Sequence, residues 1–535
     1  MSSIDINSSN ISIGSHILET YSTDRMNNTS NIIRRNITKP NVFNVKDYNA
    51  RGDGTTDDTQ AVRNAIEAAR QYLQNNNAST AVIYFPSGTY LTRQLVIHSN
   101  MYFIGEDMNK TMLKRIVEPS DLSTTFNYPN VPSTISGGDN GYIKAYIKNY
   151  NFATGNTNLG LINITVDGNG YSFLRDGDQN HNNFTIMFKR SSNIRADRLR
   201  VIDSMNFHVY FKECNNVEIR MIEINGNYYN RLGAYYGGTN YRNNQDGLHF
   251  QDTININVDY VKAINTQDDS LIIRSVNRNV YNAYVKYAEV LNQGTGRGLL
   301  IQSGVDADVY NVTIDKVIVY GYPRTGISIQ HTQEGTTDGN GIPYNIYIKE
   351  AIVYGTTTTN VRDPRALLIS SRPQALYSTS RALRPIQNIT IDYLYFDARM
   401  QNNPTKLQRG IIIENAVNVT INKFEILNKS NNGEDILLQE INNTTILNPI
   451  ILRNGIIRRV TIGGTHITIK NSKYIILDNI QIPRIDANNQ GNIGLYIQGT
   501  SQYITARQCI FAVTNKYQYD DVARQYANTN QLDIK

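Results

Sequence analysis

Three short segments in the middle of the chain place charged side chains directly ahead of apolar runs. The first reads NQDGLHF and contains Asp246, the second reads TQDDSLII and contains Asp268 and Asp269, and the third reads GRGLLI and contains Arg297. Carboxyl groups that lie close together repel each other, which raises the pKa of at least one and lets it act as a general acid. Two carboxyls with room for a water, one of them protonated, are the arrangement of an inverting glycosidase. The residue types therefore point to hydrolysis of a glycosidic bond.

The intervals between these segments predict that the charged side chains converge. Asp246 and Asp268 are 22 residues apart, and Asp268 and Arg297 are 29 apart. Each interval is about one turn of a strand-only repeat, and stacked strands lie about 4.8 Å apart, so the acids should lie within about 5 to 10 Å of one another. Adjacent strand residues point to opposite faces, so Asp268 and Asp269 can serve one site only at a turn or bulge. In the alternative interpretation, Asp and Gly merely mark the turns of the repeat.

A tyrosine-rich loop precedes the first acid. Residues 225–244 read NGNYYNRLGAYYGGTNYRNN. Tyrosine offers a flat apolar face with a hydroxyl at its edge, which suits stacking on sugar rings. We interpret the loop as one wall of the cleft, and packing of the loop on the rod or on a neighbouring chain remains an equal alternative. The predicted substrate-binding residues are Tyr228, Tyr229, Tyr235, Tyr236, Tyr241, Asn244 and Arg297.

The elements that must position these side chains form a repeat. Segments of the form Asn-apolar-x-apolar recur at intervals of 25 to 43 residues, with period-2 strands and polar turns between them. A unit whose strands cannot bury both faces alone predicts a solenoid, here an all-β parallel β-helix. A propeller is the competitor, but its blades usually carry Trp, and this chain has none. The segments begin at Asn163, Asn216, Asn257, Asn282, Asn311, Asn345, Asn388 and Asn418.

The ends of the chain depart from this repeat. Apolar residues at helical spacing over 57–73, with Asp57 or Asp58 placed to cap, predict a helix that covers the first coil. The first 40 residues have no sustained period and are interpreted as a flexible arm or as an attachment segment. The predicted parts are an N-terminal arm at 1–42, a leader with the capping helix at 43–110, the β-helix at 111–515 and a C-terminal tail at 516–535.

Composition argues against several classes of protein. The chain is 40% hydrophobic and 18% charged, which suits a large core and not a disordered polymer. Its 52 basic and 46 acidic residues are spread without blocks, whereas nucleic-acid binding needs clustered Lys and Arg. The longest apolar runs are too short to span a bilayer, and the first residues do not resemble a secretory signal. Two cysteines are too few for a disulfide scaffold or a zinc site, and we expect no cofactor and no metal.

The three central segments resemble those of glycoside hydrolase family 28, the polygalacturonase family. That family carries Asn-Thr-Asp-Gly, Gly-Asp-Asp and Gly-His-Gly on consecutive coils of a right-handed parallel β-helix. The segments VDGNG from Val166 and SMNFHV from Ser204 are similar to segments that precede the family's active site. The leader DYNARGDGTTDDTQAVRNAIEAA resembles the pectate-lyase-like leader of many such β-helices, including bacteriophage tailspikes. Together these similarities cover about residues 43–331 and imply the same single-stranded, right-handed β-helix.

The resemblance also implies roles for the acids. Asp268 takes the position of the general acid, and Asp246 and Asp269 take the positions of the residues that activate water. Arg297 stands where the family has its His, and Ser328-Ile329-Gln330 stands where it has the Arg-x-Lys that grips a substrate carboxylate. This loss favours a neutral or amino-sugar polymer as substrate. Three nearby histidines alternate with apolar residues and are interpreted as structural: His208, His249 and His331.

The sequence therefore predicts a virion tailspike depolymerase that hydrolyses a host surface polysaccharide with inversion. One alternative is a Ca²⁺-dependent polysaccharide lyase in which Arg297 abstracts the proton. Another is a non-catalytic, receptor-binding β-helix of a virion. The expected partners are the polysaccharide, two further copies in a homotrimer implied by the resemblance, and a virion tail or baseplate protein bound through residues 1–40. The expected location is the virion tail, and neither nucleic acid nor a membrane is an expected partner.

Overall fold

The structure is a computed structural model of the chain. Side chains are described from residue 41 onward. The described residues are 14–20, 33–39, 41–76, 80–116, 145–170, 184–226, 245–292, 296–321, 324–332, 338–355, 365–371, 382–399, 409–428, 434–441, 445–459, 464–483 and 493–535.

Strands dominate this part of the chain. The elements in chain order are β1 (Gly14–Thr20), β2 (Ile33–Lys39), β3 (Asn41–Asn44), a 3-10 helix (Val45–Tyr48), β4 (Asp53–Asp57), α1 (Thr59–Asn75), β5 (Ala81–Phe85), β6 (Gly88–Thr92), β7 (Leu95–Ile97), β8 (Met101–Gly105), β9 (Thr111–Arg115), β10 (Ile147–Asn149), β11 (Thr157–Asp167), β12 (Ile186–Lys189), β13 (Ser192–Ile202), β14 (Val209–Lys212), β15 (Asn215–Ile219), β16 (Ile222–Asn225), β17 (Leu248–Gln251), β18 (Ile254–Val258) and β19 (Val261–Thr266). They continue with β20 (Leu271–Arg274), β21 (Val280–Asn292), β22 (Arg297–Gln302), β23 (Val309–Tyr320), β24 (Thr325–Gln330), β25 (Pro343–Tyr354), β26 (Arg365–Ser370), β27 (Ile386–Asp397), β28 (Arg409–Glu414), β29 (Ala416–Ile421), β30 (Phe424–Asn428), β31 (Glu434–Gln439), β32 (Ile450–Arg459), β33 (Thr465–Lys470), β34 (Lys473–Ile482), β35 (Ile493–Gln498), β36 (Gln502–Phe511), β37 (Asn515–Tyr519), a 3-10 helix (Ala523–Thr529) and β38 (Gln531–Ile534).

Fourteen of these strands form one parallel sheet, which we call the site sheet. Its order is β7-β10-β12-β14-β17-β20-β22-β24-β26-β28-β31-β33-β35-β37, so each strand pairs with the strand one coil away. The register stacks Leu248, Leu271, Leu299 and Ile327 in one inward row, and all four are fully buried. Each coil alone could not bury such a row, and stacking the coils makes it one continuous core.

The remaining strands from β3 onward form the other faces of the rod. The first half of β11 pairs with β8 and its second half pairs with β9, because β11 bends at Asn163, where φ is +53°. Every described pairing in these sheets is parallel, whereas β1 and β2 form a separate antiparallel pair. The predicted fold, an all-β right-handed parallel β-helix, is confirmed.

Asparagine occupies one corner of nine successive coils. The register aligns these residues, and each has φ between 50 and 58°. Asn tolerates this left-handed conformation, which most side chains resist. The amides also bond along the rod: Asn418 Nδ2 donates to Asn388 at 2.7 Å, and Asn388 Nδ2 donates to Asn345 at 2.9 Å. The corner residues are Asn158, Asn193, Asn216, Asn255, Asn282, Asn311, Asn345, Asn388 and Asn418.

Two of the predicted repeat positions differ from this corner. Asn255 and not Asn257 aligns with Asn216, so the repeat starts two residues earlier in that coil. Asn163 lies at the second bend, in the middle of β11. Inward-facing aliphatic residues follow both bends of a coil, so the pattern of Asn followed by apolar residues fits either bend. Only the strand register shows at which bend a given Asn lies.

The helix α1 covers the N-terminal end of the core, as predicted. Its residues Val62, Ala65, Ile66 and Ala69 are buried and belong to the same apolar core as the strands. Asp58 occupies the N-cap position, but its carboxylate accepts from the amides of Arg51 and Gly52 at 2.6 and 2.8 Å. At the other end, β37 and β38 pair with β35 and β36, so the last residues continue the ladder. No helix in the described part of the chain is long and apolar enough to cross a membrane.

Candidate active site

The three predicted acids meet at the edge of the site sheet where β17, β20 and β22 begin. One carboxylate oxygen from each of Asp246, Asp268 and Asp269 lies within 4.8 Å of the other two, and we call these residues the acid cluster. Asp246 and Asp269 are buried, while Asp268 is partly exposed. Asp268 and Asp269 lie in a bend ahead of β20, which lets adjacent residues reach one site. The predicted convergence is thus found.

The backbone of the bend is tied to the carboxylates. The Asp269 amide donates to Asp246 Oδ1 at 3.1 Å, and the Arg297 amide donates to Asp269 Oδ1 at 2.7 Å. Asp246 therefore fixes the backbone just before β20, and Asp269 fixes the first residue of β22. Gly296 allows this close approach, because a Cβ there would lie 2.3 Å from the carbonyl carbon of Asp268.

Arg297 forms a buried ion pair with Asp269. Its Nη1 lies 3.1 and 3.0 Å from the two carboxylate oxygens of Asp269, and both side chains are buried. Asp269 thereby lies opposite a fixed cation. The predicted placement of Arg297 beside the acids is found, with its charge directed at Asp269.

Burial and mutual repulsion act on the other two acids. Burial, followed by the charge of Asp269, raises the pKa of Asp246 well above its usual range. Burial, then Asp269 and Asp246, likewise raises the pKa of Asp268 well above its usual range, and Arg297 opposes that shift. The cluster therefore contains two carboxyls with raised pKa values and a third that is ion-paired. General acid–base catalysis needs carboxyl groups that differ in this way.

His249 contacts the acid cluster directly, although its alternation with apolar residues indicated a structural role. Its Nδ1 lies 2.8 Å from Asp246 Oδ2, and its ring packs between Phe207 and Tyr210, each at 4.9 Å between centroids. His208 Nδ1 lies 2.8 Å from the Asp246 carbonyl oxygen. His331 lies further along the rod, with Nδ1 2.8 Å from the Gly341 carbonyl oxygen. The spacing Asp-x-x-His at the start of a strand was the available signal for His249.

Further arginines continue the line of charges along the rod. The register places Thr325, Arg365 and Arg409 after Arg297 at the same edge of the site sheet. Burial, then Arg297, lowers the pKa of Arg324 to about 10, while Asp269 and Asp268 raise it. Arg324 thus lies near the acids in addition to Arg297, and Arg365 lies further along the same edge. The predicted loss of the family's Arg-x-Lys stands, since Ser328 Oγ bonds Gln330 Oε1 there at 2.6 Å.

The predicted tyrosine wall lies outside the described residues. Tyr228, Tyr229, Tyr235, Tyr236, Tyr241 and Asn244 all fall in residues 227–244. They remain predictions. The acid cluster itself offers three convergent carboxylate oxygens, and oxygen ligands are what Ca²⁺ and Mg²⁺ prefer, so these residues could also hold a divalent cation.

Comparison with known proteins finds similar sequences and structures. The model of the "Rhamnogalacturonase A/epimerase, pectate lyase-like" family matches residues 42–287, less than half of the chain. A polygalacturonase of Prunus persica is 26% identical over 353 residues, which are 62% of this chain and 73% of that protein. Alginate lyase 7 of Azotobacter vinelandii is 32% identical over 147 residues, 23% of this chain, and the chain spans only 16% of the lyase. The solved family 28 exopolygalacturonase of Yersinia enterocolitica covers 88% of this chain and is itself covered to 84%, with a TM-score of 0.47 and 13% identity.

These matches confirm the resemblance that the sequence motifs indicated. The chain is a pectate-lyase-like right-handed β-helix with similarity to the polygalacturonases. The family model ends at residue 287, so it includes all three acids and stops before Arg297.

Proposed function

We propose that the chain hydrolyses a glycosidic bond of a polysaccharide at the acid cluster, with inversion at the anomeric carbon. The observation that carries this proposal is the convergence of three carboxylates, of which Asp268 is the partly exposed one and has a raised pKa. A protonated, accessible carboxyl can donate to the glycosidic oxygen as the bond breaks.

Each acid takes one role in this reaction. Asp268 gives its proton to the leaving oxygen. Asp269, ion-paired with Arg297, and Asp246 direct a water molecule, which attacks the anomeric carbon and passes a proton to one of these two carboxylates. The nearest carboxylate oxygens approach more closely than the roughly 6.5–9.5 Å that separates the carboxyl groups of inverting enzymes. The water would therefore lie beside Asp246 and Asp269 and not between the nearest oxygens. The amide of Asp269 donates to Asp246 and holds these two residues together.

We propose an acidic polysaccharide as the substrate, and this replaces the neutral polymer that the sequence favoured. Three guanidinium groups, those of Arg297, Arg324 and Arg365, lie along the edge that holds the acids. Arginine matches the geometry of a carboxylate, so these cations suit a uronic acid residue bound beside the acids. The polygalacturonase and alginate lyase similarities agree with such a polymer.

Lysis by a Ca²⁺-dependent mechanism is the second candidate. The same three carboxylate oxygens could hold a cation, and the alginate lyase similarity favours it. The ion pair of Asp269 with Arg297 opposes it, because Arg297 Nη1 already lies beside both oxygens of that carboxylate.

The products distinguish the two reactions. The purified chain should release reducing ends from polygalacturonate or alginate without an unsaturated, ultraviolet-absorbing product, and the rate should persist in excess chelator. NMR during the first turnovers should show the inverted anomer. An unsaturated product that disappears with chelator would establish lysis, and retention of configuration would exclude the inverting assignment.

The virion setting and the homotrimer are also proposals. The pair β1–β2 forms its own two-stranded sheet, separate from the sheets of the rod, which supports a role for residues 1–40 in attachment. Deleting those residues should leave polysaccharide cleavage intact and abolish incorporation into virions. Trimerisation is tested by the mass of the purified chain in solution.

A further inference from the structure

A second recess lies at the opposite end of the strands that carry the acid cluster. It is a cavity of about 370 Å³ formed by the loops that follow β20, β22 and β24. Its lining includes Arg274, Asn277, Val305, Asp306 and Thr332. The volume corresponds to roughly a dozen water molecules, which is room for a sugar residue and its substituents. It also falls within the range of small-ligand pockets.

The floor of this cavity is fixed by hydrogen bonds between consecutive coils. Ser275 Oγ donates to the Ala307 carbonyl oxygen at 2.6 Å and accepts from the Gly304 amide at 2.8 Å. The loops pack so closely that a Cβ on Gly304 would lie 2.5 Å from the Val276 carbonyl oxygen. The recess is therefore formed before any ligand arrives, which lowers the entropic cost of binding.

The rim of the cavity carries opposite charges on two sides. Arg274 supplies a cation on one loop, and Asp306 supplies a carboxylate on the next. Asp306 Oδ1 accepts from the Asn340 amide at 3.0 Å, which orients its carboxylate, and Asn277 is exposed beside it. A ligand with a carboxylate at one end and hydroxyls at the other matches this rim, and a uronic acid residue has that arrangement.

Arg274 also connects the cavity to the acid cluster. Its charge lowers the pKa of Asp246 against the upward effects of burial and of Asp269. Asp269 precedes Arg274 by five residues, which is about 17 Å between their backbones, and the Arg274 side chain spans part of that distance towards Asp246. One extended polymer lying along β20 would therefore reach both places.

We propose that this cavity is a distal binding subsite of the cleft, which holds a uronic acid residue with its carboxylate on Arg274 and its hydroxyls on Asn277 and Asp306. The proposal rests on the proposed function, because it takes the same polymer to be the ligand. Arg274 is in this view a specificity residue that selects acidic sugars at a distance from the cleaved bond.

The test measures binding and cleavage separately. Oligogalacturonates and oligomannuronates from the disaccharide to the hexasaccharide are titrated by calorimetry onto the full chain carrying Asp268→Asn, so that no cleavage intervenes. Adding Arg274→Gln should weaken hexasaccharide binding by about tenfold or more, since a hydrogen bond to a charged group is lost. The disaccharide, which is too short to reach the cavity from the acids, should be affected less. Val305→Phe, which fills the recess without changing charge, should reproduce the loss.

Arg278→Gln is the matched control, because Arg278 is on the same loop, is exposed and does not line the cavity. Hexasaccharide affinities within twofold for Arg274→Gln, Val305→Phe and Arg278→Gln would overturn the subsite. If Arg274→Gln weakens binding of a carboxyl-reduced hexasaccharide by the same factor, the ligand is not selected for its carboxylate. That result, or no binding of either acidic series by the chain, would overturn the choice of an acidic sugar. Arg274-dependent binding by a chain that cleaves neither polymer would keep the subsite and refute the proposed hydrolysis.

Discussion

Carboxylates are buried at the same edge of the site sheet in two places. The pKa is raised in one place and lowered in the other. In the acid cluster, Asp246 shares its surroundings with two more acids and His249. About five strands further along, or roughly 24 Å, Asp435 at the start of β31 is fully buried among Asn428, Arg459 and His466, and we call these four residues the neutralised cluster.

The two aspartates differ in what surrounds them and not in burial. Asp435 Oδ2 lies 3.0 Å from Arg459 Nη2 and 2.7 Å from His466 Nδ1, and Asn428 donates to Oδ1 at 2.7 Å. Burial raises the pKa of Asp435, but these partners outweigh it, so the pKa is lowered below its usual range. For Asp246, burial and then the negative charge of Asp269 raise the pKa despite a contact to His249 at 2.8 Å.

This difference separates a reactive site from a structural one. A buried carboxylate whose partners compensate its charge stabilises the strand that carries it and has no proton to give. Buried carboxyls that repel one another have raised pKa values, hold protons more readily and can transfer them. The mutual repulsion in the acid cluster is therefore a stronger indication of function than burial alone.

The largest difference should be seen in catalysis. Asp268→Asn keeps the shape of the side chain but removes the transferable proton, so kcat should fall by about 10²–10⁴-fold while binding of the polymer survives. Asp435→Asn should retain the wild-type rate in molecules that remain folded. Reducing-end release at matched concentrations of folded protein measures both, and equal losses would remove the distinction between the clusters.

Stability should separate the clusters in the opposite direction. Asp435→Asn leaves Arg459 buried without its counter-charge, which should lower the free energy of unfolding by about 3–5 kcal/mol. Denaturant titration at neutral pH measures the loss. Arg409→Gln is the control, because it breaks a more exposed ion pair with Glu434 at the same edge and should cost much less.

Asp246→Asn should raise stability, because the wild-type carboxyl is buried beside Asp269. Relief of that repulsion should add about 1 kcal/mol to the free energy of unfolding at neutral pH. Asparagine retains an oxygen that can accept from His249. A loss of stability comparable to that of Asp435→Asn would show that the acid cluster is compensated in a way that its contacts do not reveal.

The pH dependence of stability gives a finer comparison. Carboxyls with a raised folded pKa cost stability above that pKa, so the advantage of Asp246→Asn should shrink as the pH falls from the raised value towards about 3.9. Asp435 has a lowered folded pKa, so its contribution is present above about 3.9 and is lost only as the pH falls through the lowered value. Melting temperatures of the two variants and the wild type across this window provide the measurement.

A local effect is expected at the Asn corner, outside both clusters. Asn388→Ala places a residue with a Cβ and no amide at φ +58°, which should cost about 1–2 kcal/mol. Asn388→Gly keeps the conformation and loses only the hydrogen bonds to Asn345 and from Asn418, so it should cost less. A larger cost for glycine would show that the bonds, and not the backbone, hold the corner.

Several of these features were predictable because they depend on short stretches of chain. The helix predicted over 57–73 is found at Thr59–Asn75, since its apolar spacing is local. The acids were found because Asp246, Asp268 and Arg297 are separated by single coils with short loops. When two residues are one coil apart in the sequence, they lie next to each other on neighbouring strands of the sheet.

The same argument failed where the loops lengthen. The residues aligned after Arg297 are Thr325, Arg365 and Arg409, at intervals of 28, 40 and 44 residues. No constant period links them, so the row of arginines was not recognised, and a neutral or amino-sugar polymer was the expected substrate. The neutralised cluster was missed for a similar reason, because Asp435, Arg459 and His466 come from three different strands.

The sequence by itself thus determined the class of structure and the type of chemistry. Alternating aliphatic residues, asparagine at the bends and paired acids before strands are local patterns, and each restricts the backbone or the chemistry of its own segment. Only the tertiary structure decided which charges are neighbours, and therefore which carboxyls hold protons. The pKa of a buried acid depends on charges a few ångströms away in space, and in a solenoid with loops of unequal length the register of the parallel ladder sets those distances.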